Sequence, residues 1–131
     1  MKKIIFSSIA ILFFCSLMVH AADLKNTKIA VASSGKTEKA SVSNRAARCP
    51  YYLIFDRKGE LIEAVDNPYA DASGGAGPSA ANFLAKTGVT IIIAESFGSK
   101  MTNALKNNGI TPFRFKGSMG DAVKTALKGR K

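Results

Sequence analysis

Short runs of apolar residues, separated by polar or glycine-containing stretches, recur along the chain from residue 28 onward. Five of these runs are rich in β-branched or aromatic side chains, a composition typical of strands. The predicted strands cover residues 28–33, 51–56, 60–66, 89–94 and 110–115. Three other segments repeat apolar residues at helical spacing and predict helices, one that ends at Gly88, one over residues 99–108 and one over residues 119–128.

The predicted order β-β-β-α-β-α-β-α limits the topology. The glycine-containing connection at residues 57–59 favours an antiparallel hairpin, and the later strand-helix-strand units favour right-handed crossovers between parallel strands. The sequence therefore predicts an α/β fold, a ribonuclease H-like three-layer sandwich in which helices cover both faces of a mixed five-stranded sheet. The first strand lies in the middle of that sheet, and the second runs antiparallel to the other four.

This topology brings several connections to one edge of the sheet, where the parallel strands end. They include the polar connection 34–48, with a short strand near residues 41–43, and the glycine loop at residues 73–79. Ligands of open α/β sheets bind at this edge. Glycine lets a ligand approach the backbone, and a helix N-terminus attracts anions through its N–H groups and dipole. The loop therefore predicts an anion site, although a tight strand-to-helix connection would have the same composition.

The N-terminus has the features of a secretory signal peptide. Lys2 and Lys3 precede an apolar run over residues 4–19, and the small Ala21 follows where a signal peptidase reads the chain. The run is shorter than the roughly 20 residues that cross a bilayer, so an uncleaved anchor is the less favoured alternative. Cleavage after Ala21 divides the chain into a signal peptide at 1–21, a linker at 22–27 and one domain at 28–131. We expect a periplasmic or secreted protein with no stable membrane anchor.

Charge and composition narrow the chemistry. The chain has 19 Lys and Arg against 9 Asp and Glu, a formal net charge of +10. This favours anionic partners, and export argues against nucleic acid among them; a solubilising surface is the alternative explanation. Loss of His20 with the signal peptide leaves no histidine for base catalysis or metal binding, and loss of Cys15 leaves Cys49 without an internal disulfide partner. The scattered carboxylates do not form the cluster that a two-metal nuclease requires.

Cations, backbone N–H groups and sulfur atoms remain at the carboxyl edge. The cations and N–H groups would bind negative charge, while thiolate and thioether sulfur suit soft metals. Cys49 is the predicted metal ligand, because Arg45 and Arg48 would lower the pKa of its thiol. A small buried residue is the alternative for Cys49, and a core residue is the alternative for Met119. No catalytic residue is predicted. The predicted binding residues are Arg45, Arg48, Cys49, Gly74, Gly75, Ala76, Gly77, Ser96, Lys116 and Met119.

Several motifs resemble one known family. Residues 48–56 read Arg-Cys-Pro-Tyr-Tyr-Leu-Ile-Phe-Asp, and Asn67-Pro68, the Gly-Gly-Ala-Gly of residues 74–77 and Gly109-Ile110 follow. Over residues 28–128 the chain is similar to the dinitrogenase iron-molybdenum cofactor biosynthesis family, the NifX-like accessory domains. The resemblance implies a ribonuclease H-like fold. It also implies a site around Arg48, Cys49 and residues 74–77 for an anionic metal-sulfur cluster with iron, molybdenum or copper.

Three features depart from the family pattern. Ala46 and Ala47 stand where members usually carry Phe-Gly, and the mature chain lacks the histidine that some cluster-binding members use. The signal peptide is the third departure, because nitrogenase cofactor assembly is cytoplasmic.

Three hypotheses about function follow. The first is an exported, non-enzymatic domain that binds or carries an anionic metal-sulfur cluster or related oxyanion and delivers it to a protein recipient. The second is a redox or thiol enzyme that acts through Cys49. The third is a structural or interaction module, a homodimer formed through the edge strand at residues 110–115, whose glycine loop binds nothing.

Overall fold

A computed structural model describes residues 27–129 of the chain. The predicted signal peptide, residues 22–26 of the predicted linker and residues 130–131 lie outside the described part. Within residues 27–129, no helix combines the length and the apolar character needed to cross a membrane.

Between residues 27 and 129, five strands and three helices follow one another in the predicted order. The strands are β1 Ile29–Ser33, β2 Tyr51–Phe55, β3 Leu61–Asp66, β4 Ile91–Ala94 and β5 Thr111–Arg114. The helices are α1 Ala76–Thr87, α2 Ser99–Asn107 and α3 Met119–Lys128. Helix α1 begins inside the glycine loop and ends at Gly88, whose left-handed φ of 84° closes the helix as the sequence predicts.

The strands form one mixed sheet in the order β3-β2-β1-β4-β5. Strand β2 runs antiparallel to both β1 and β3, whereas β1, β4 and β5 are parallel to one another. The predicted topology, with the first strand in the middle and the second reversed, is confirmed. The ends of β1, β4 and β5 and the start of β2 consequently meet at one edge.

Successive side chains of the central strands lie on opposite faces of the sheet and pack against helices on both sides, which gives three layers. Every residue of β1 and β4 is buried, which requires cover on both faces of the sheet. Ala30 and Ile92 pack with α1 and α2 on one face, whereas Val31 and Ile93 pack with α3 on the other. The predicted ribonuclease H-like sandwich is confirmed, with two helices on one face and one on the other.

The long connection 34–48 is tied to the carboxyl edge by backbone hydrogen bonds. The Ser43 N–H donates to the Ala32 carbonyl at 2.7 Å, and the Ser43 carbonyl accepts from the Glu95 N–H at 3.0 Å. The short strand expected near residues 41–43 is present only as isolated bridges, Ser33 with Val42 and Ser41 with Ser118. The connection therefore crosses the ends of the parallel strands and covers part of the carboxyl edge of the sheet.

Strand β5 presents a poor edge for strand pairing. The N–H groups of Thr111 and Phe115 donate inward to the carbonyls of Thr90 and Ala94. Because N–H directions alternate along a strand, Pro112 occupies an outward-facing position, and proline has no N–H to donate. The homodimer through this strand stays a prediction, and it would lack a backbone donor at Pro112.

Gly77 allows α1 and α2 to approach closely. A Cβ placed there would lie 3.0 Å from the Met101 Cβ and 3.2 Å from the Met101 N. We expect Gly77→Ala to lower the free energy of unfolding by about 1–3 kcal/mol because the helices must separate, as measured by urea denaturation. Gly74→Ala is the control, since a Cβ at Gly74 meets nothing within 4 Å. Equal stability of the two variants would contradict this explanation.

Candidate functional site

Two adjoining pockets lie at the carboxyl edge. The helix pocket, about 330 Å³, is lined by Ala47, Arg48, Gly75, Ala76, Gly77, Pro78, Gly98, Ser99, Lys100 and Met101. The arginine pocket, about 260 Å³, is lined by Arg45, Ala46, Ala47, Arg48, Ser96 and Gly98. No lining residue of either pocket is acidic, and Arg48 borders both.

The helix pocket is built from the N-termini of α1 and α2. The first N–H groups of any α-helix lack an intrahelical acceptor. Neither N-cap, Gly75 or Gly98, supplies a side-chain hydrogen bond, and neither first turn contains an acidic residue. By contrast, Ser118 caps α3 by accepting from the Asp121 N–H. A bound anion would satisfy the donors that α1 and α2 leave open.

Gly75 is required by its backbone conformation. Its φ is 68°, in the left-handed region that non-glycine residues rarely adopt. This conformation directs the chain from the loop into α1, so the Gly75 position is explained by the turn that starts the helix.

Arg48 places a cation between the two pockets. Its side chain is exposed, and Nη1 donates a 2.6 Å hydrogen bond to the Ala72 carbonyl in the loop before α1. Arg45 is also exposed and lines the arginine pocket beside Ser96, whose hydroxyl donates to the Asn44 carbonyl at 2.5 Å. The pockets are therefore electropositive through side chains as well as helix N-termini.

Cys49 lines neither pocket and is buried next to Ala46, which lines the arginine pocket. It is 1% exposed, and its Sγ is 3.7 Å from the Ala46 carbonyl, which also accepts from the Tyr52 hydroxyl at 2.5 Å. Burial raises the pKa of the Cys49 thiol from its ordinary 9.0 to about 11 and also raises the pKa of Tyr52. The expectation that Arg45 and Arg48 lower the Cys49 pKa is wrong, because both guanidinium groups are exposed whereas the thiol is desolvated.

The predicted binding residues separate into two groups. Arg45, Arg48, Gly75, Ala76, Gly77 and Ser96 line the pockets. Lys116 and Met119 do not: Lys116 is exposed after β5, and Met119 is 1% exposed in the core between the sheet and α3. Gly74 is exposed next to Gly75 but outside both linings. The metal-ligand role of Cys49 stays a prediction, since its sulfur lines neither pocket.

The donors suit an anion better than a bare metal ion. Within residues 27–129 no group of three or more His, Cys, Asp or Glu is placed to hold a metal. Lys100 and Asn67 were not among the predicted site residues. Lys100 could have been found from its position in the first turn of the second helix. Asn67 belongs to the Asn67-Pro68 motif quoted above, but its hydrogen bonds to the carbonyls of Ala47 and Cys49 are visible only in the structure.

The family model described as dinitrogenase iron-molybdenum cofactor matches residues 27–129. The apo form of the orange protein from Desulfovibrio gigas is a similar solved structure, with 30% identity, a TM-score of 0.74 and coverage of 79% of this chain and 89% of that one. A putative NifB protein from Thermotoga is 35% identical, with a TM-score of 0.67 and coverage of 79% and 90%. A putative dinitrogenase from Methanocaldococcus jannaschii, 19% identical over 79% and 90% with a TM-score of 0.56, shares the fold.

The comparison with functionally curated proteins gave no match. The family match nevertheless covers all of the described residues, 27–129, and includes both helix N-termini, Arg48 and the glycine loop. The chain therefore belongs to the dinitrogenase iron-molybdenum cofactor family.

Proposed function

We propose that the protein binds and carries an anionic metal-sulfur cluster related to the iron-molybdenum cofactor and delivers it to a protein recipient. The observation that carries this proposal is the convergence of two uncapped helix N-termini and Arg48 on one pocket without a carboxylate. Membership of the family gives the cargo its chemical class. The cluster is cargo, and the protein acts as its carrier.

The helix pocket can hold such a cluster through contacts with the outer surface of the cluster. The first N–H groups of α1 and α2 donate toward negative charge, and the Arg48 guanidinium adds a charge-assisted donor. Ala47, Pro78 and Met101 give the same pocket an apolar wall, which suits weakly hydrated sulfide ligands better than strongly hydrated oxyanions. Iron, molybdenum and copper all form sulfur clusters, and the recognition uses charge and sulfur rather than a bond to one metal.

A carrier role is favoured over the thiol enzyme. An enzyme acting through Cys49 needs an accessible thiolate. The Cys49 thiol is buried, and burial favours its protonated form. We also propose that the carrier works in the periplasm or outside the cell. This part rests on the signal-peptide pattern of residues 1–21.

Ser99→Asp provides a test that separates binding from folding. Ser99 is the first residue of α2 and lines the helix pocket. A carboxylate there would stabilise α2 through the helix dipole but repel anionic cargo. We expect the wild-type protein, purified anaerobically from its own host, to contain near-stoichiometric metal and sulfide with a visible charge-transfer band. Ser99→Asp should lose both while remaining at least as stable to heat.

Ser99→Asn is the matched control, because it has the same shape without the charge, and it should keep its metal. Equal metal content in the two variants would overturn the proposed site. A wild-type protein that is isolated without metal and that takes up no tetrathiomolybdate, a small molybdenum-sulfur anion, would overturn the carrier function.

A further inference from the structure

Asn67 is buried where two loops of the site meet. It is 6% exposed and follows β3, and its Nδ2 donates to the carbonyls of Ala47 and Cys49, both at 2.8 Å. These two carbonyls flank Arg48 in the sequence. The Asn67 backbone N–H also donates to the Pro50 carbonyl at 3.0 Å. Asn67 thus fixes the backbone on both sides of Arg48 without contacting the guanidinium.

The other end of the Asn67 side chain completes a ring of hydrogen bonds. Its Oδ1 accepts from the Tyr69 N–H at 3.0 Å, and the Tyr69 carbonyl accepts from the Ala72 N–H at 3.2 Å. The Ala72 carbonyl then accepts from Arg48 Nη1 at 2.6 Å. The Tyr69 ring also packs edge-on against Phe83 of α1 at 6.4 Å between centroids, which joins this ring of bonds to the core.

Only asparagine suits this position. It must donate twice through one nitrogen and accept once through one oxygen, all within a short side chain. Aspartate would keep the acceptor but lose both donors, and serine could accept from the Tyr69 N–H but could not reach two carbonyls as a donor.

We propose that Asn67 is the positioning residue for Arg48. It fixes the position of the Ala47–Cys49 backbone relative to the Tyr69–Ala72 turn. The Arg48 guanidinium therefore lies between the two pockets in one orientation. The effect of Asn67 on anion affinity rests on the proposed function. Its effect on the Arg48 side chain does not.

The test compares Asn67→Ser with Asn108→Ser. Asn108 is the control for the loss of two side-chain donors at an exposed position: its Nδ2 donates to Asn82 Oδ1 at 3.0 Å and to the Ala104 carbonyl at 2.8 Å, outside both pockets. We expect Asn67→Ser to weaken tetrathiomolybdate binding about tenfold, at the lower end of the ten- to hundredfold loss expected for Arg48→Ala. The double variant should bind no more than about twofold more weakly than Arg48→Ala alone, because the two residues act as one unit. Fully additive losses would overturn the proposal.

A second measurement follows the Arg48 Nε–H resonance by NMR. We expect a distinct signal in the wild type and in Asn108→Ser, and a signal averaged to the position of a mobile arginine in Asn67→Ser. An unchanged Arg48 signal in Asn67→Ser overturns the positioning role, whatever the affinities. If the wild type is isolated without metal and does not bind tetrathiomolybdate, the proposed function fails and the NMR comparison alone decides the role of Asn67. Should Asn67→Ser fail to fold, Asn67→Gln, an uncharged amide that is longer by one methylene group, takes its place in both measurements.

Discussion

Arg48→Ala is expected to weaken tetrathiomolybdate binding by about ten- to a hundredfold. A hydrogen bond to a charged group contributes roughly 1.5–3 kcal/mol, and each 1.4 kcal/mol is about tenfold in affinity. Among the described residues, Arg48 is the one arginine that borders both the helix pocket and the arginine pocket. Titration calorimetry under anaerobic conditions measures the change in affinity. Arg48→Lys should lose part of the affinity, because lysine keeps the positive charge but lacks the planar set of N–H donors of the guanidinium.

Lys116→Ala is the control for general electrostatic attraction. It removes one positive charge from the same edge of the sheet but lies outside both pockets. Its binding should change less than about threefold at physiological salt, because Lys116 lines neither pocket and salt weakens the attraction between exposed charges that are not in contact. If Lys116→Ala and Arg48→Ala lose the same affinity, the attraction belongs to the net charge of the protein and not to the pockets.

The second large effect is a loss of stability in alkaline solution. Burial raises the pKa of the Cys49 thiol from 9.0 to about 11. Below pH 9.0 the thiol is protonated in both states, and the stability it contributes is fully present. As the pH rises from 9.0 toward 11, the unfolded chain releases its proton while the folded chain keeps it, so the free energy of unfolding falls. The shift of the Cys49 pKa corresponds to a decrease of on the order of 3 kcal/mol in the free energy of unfolding over this pH range.

Tyr52 adds to this loss, because burial raises its pKa above the ordinary 10.0. Urea denaturation at intervals between pH 8 and pH 11 measures the combined effect. Cys49→Ala is the control, and its stability should fall less steeply between pH 9 and pH 10, before the tyrosine contributes. Parallel pH profiles of the wild type and Cys49→Ala would contradict the raised pKa.

Strands with two buried faces are the part of the fold that the sequence predicts best. Residues 29–33 and 91–94 are apolar almost throughout because both α1 and α3 layers cover them, and so the pattern identifies them without ambiguity. The start of α1 is harder to predict. Ala76, Gly77 and Pro78 carry no apolar periodicity, and proline is accepted there only because the first turn needs no N–H donor from it.

The candidate site could be predicted only as far as it is encoded locally. The glycine loop and Arg48 are recognisable because glycine and charge have local meanings, and both line the helix pocket. The protonation of Cys49 depends on burial by distant segments, and the direction of Met119 depends on how α3 packs on the sheet. The Asn67-Pro68 motif marks Asn67 in the sequence, but its side chain bonds to residues about twenty positions away, and no local pattern contains such a contact.

Many of the anion donors in the helix pocket belong to the backbone, since they are the first N–H groups of α1 and α2. A point substitution leaves such donors in place unless it introduces proline. For the proposed carrier, these donors make the preference for negative charge robust to substitution, while exposed side chains that line the pockets, such as Arg45 and Lys100, can change without altering the backbone. On this proposal, the same fold can accept a different anionic cargo after changes to exposed side chains that line its pockets.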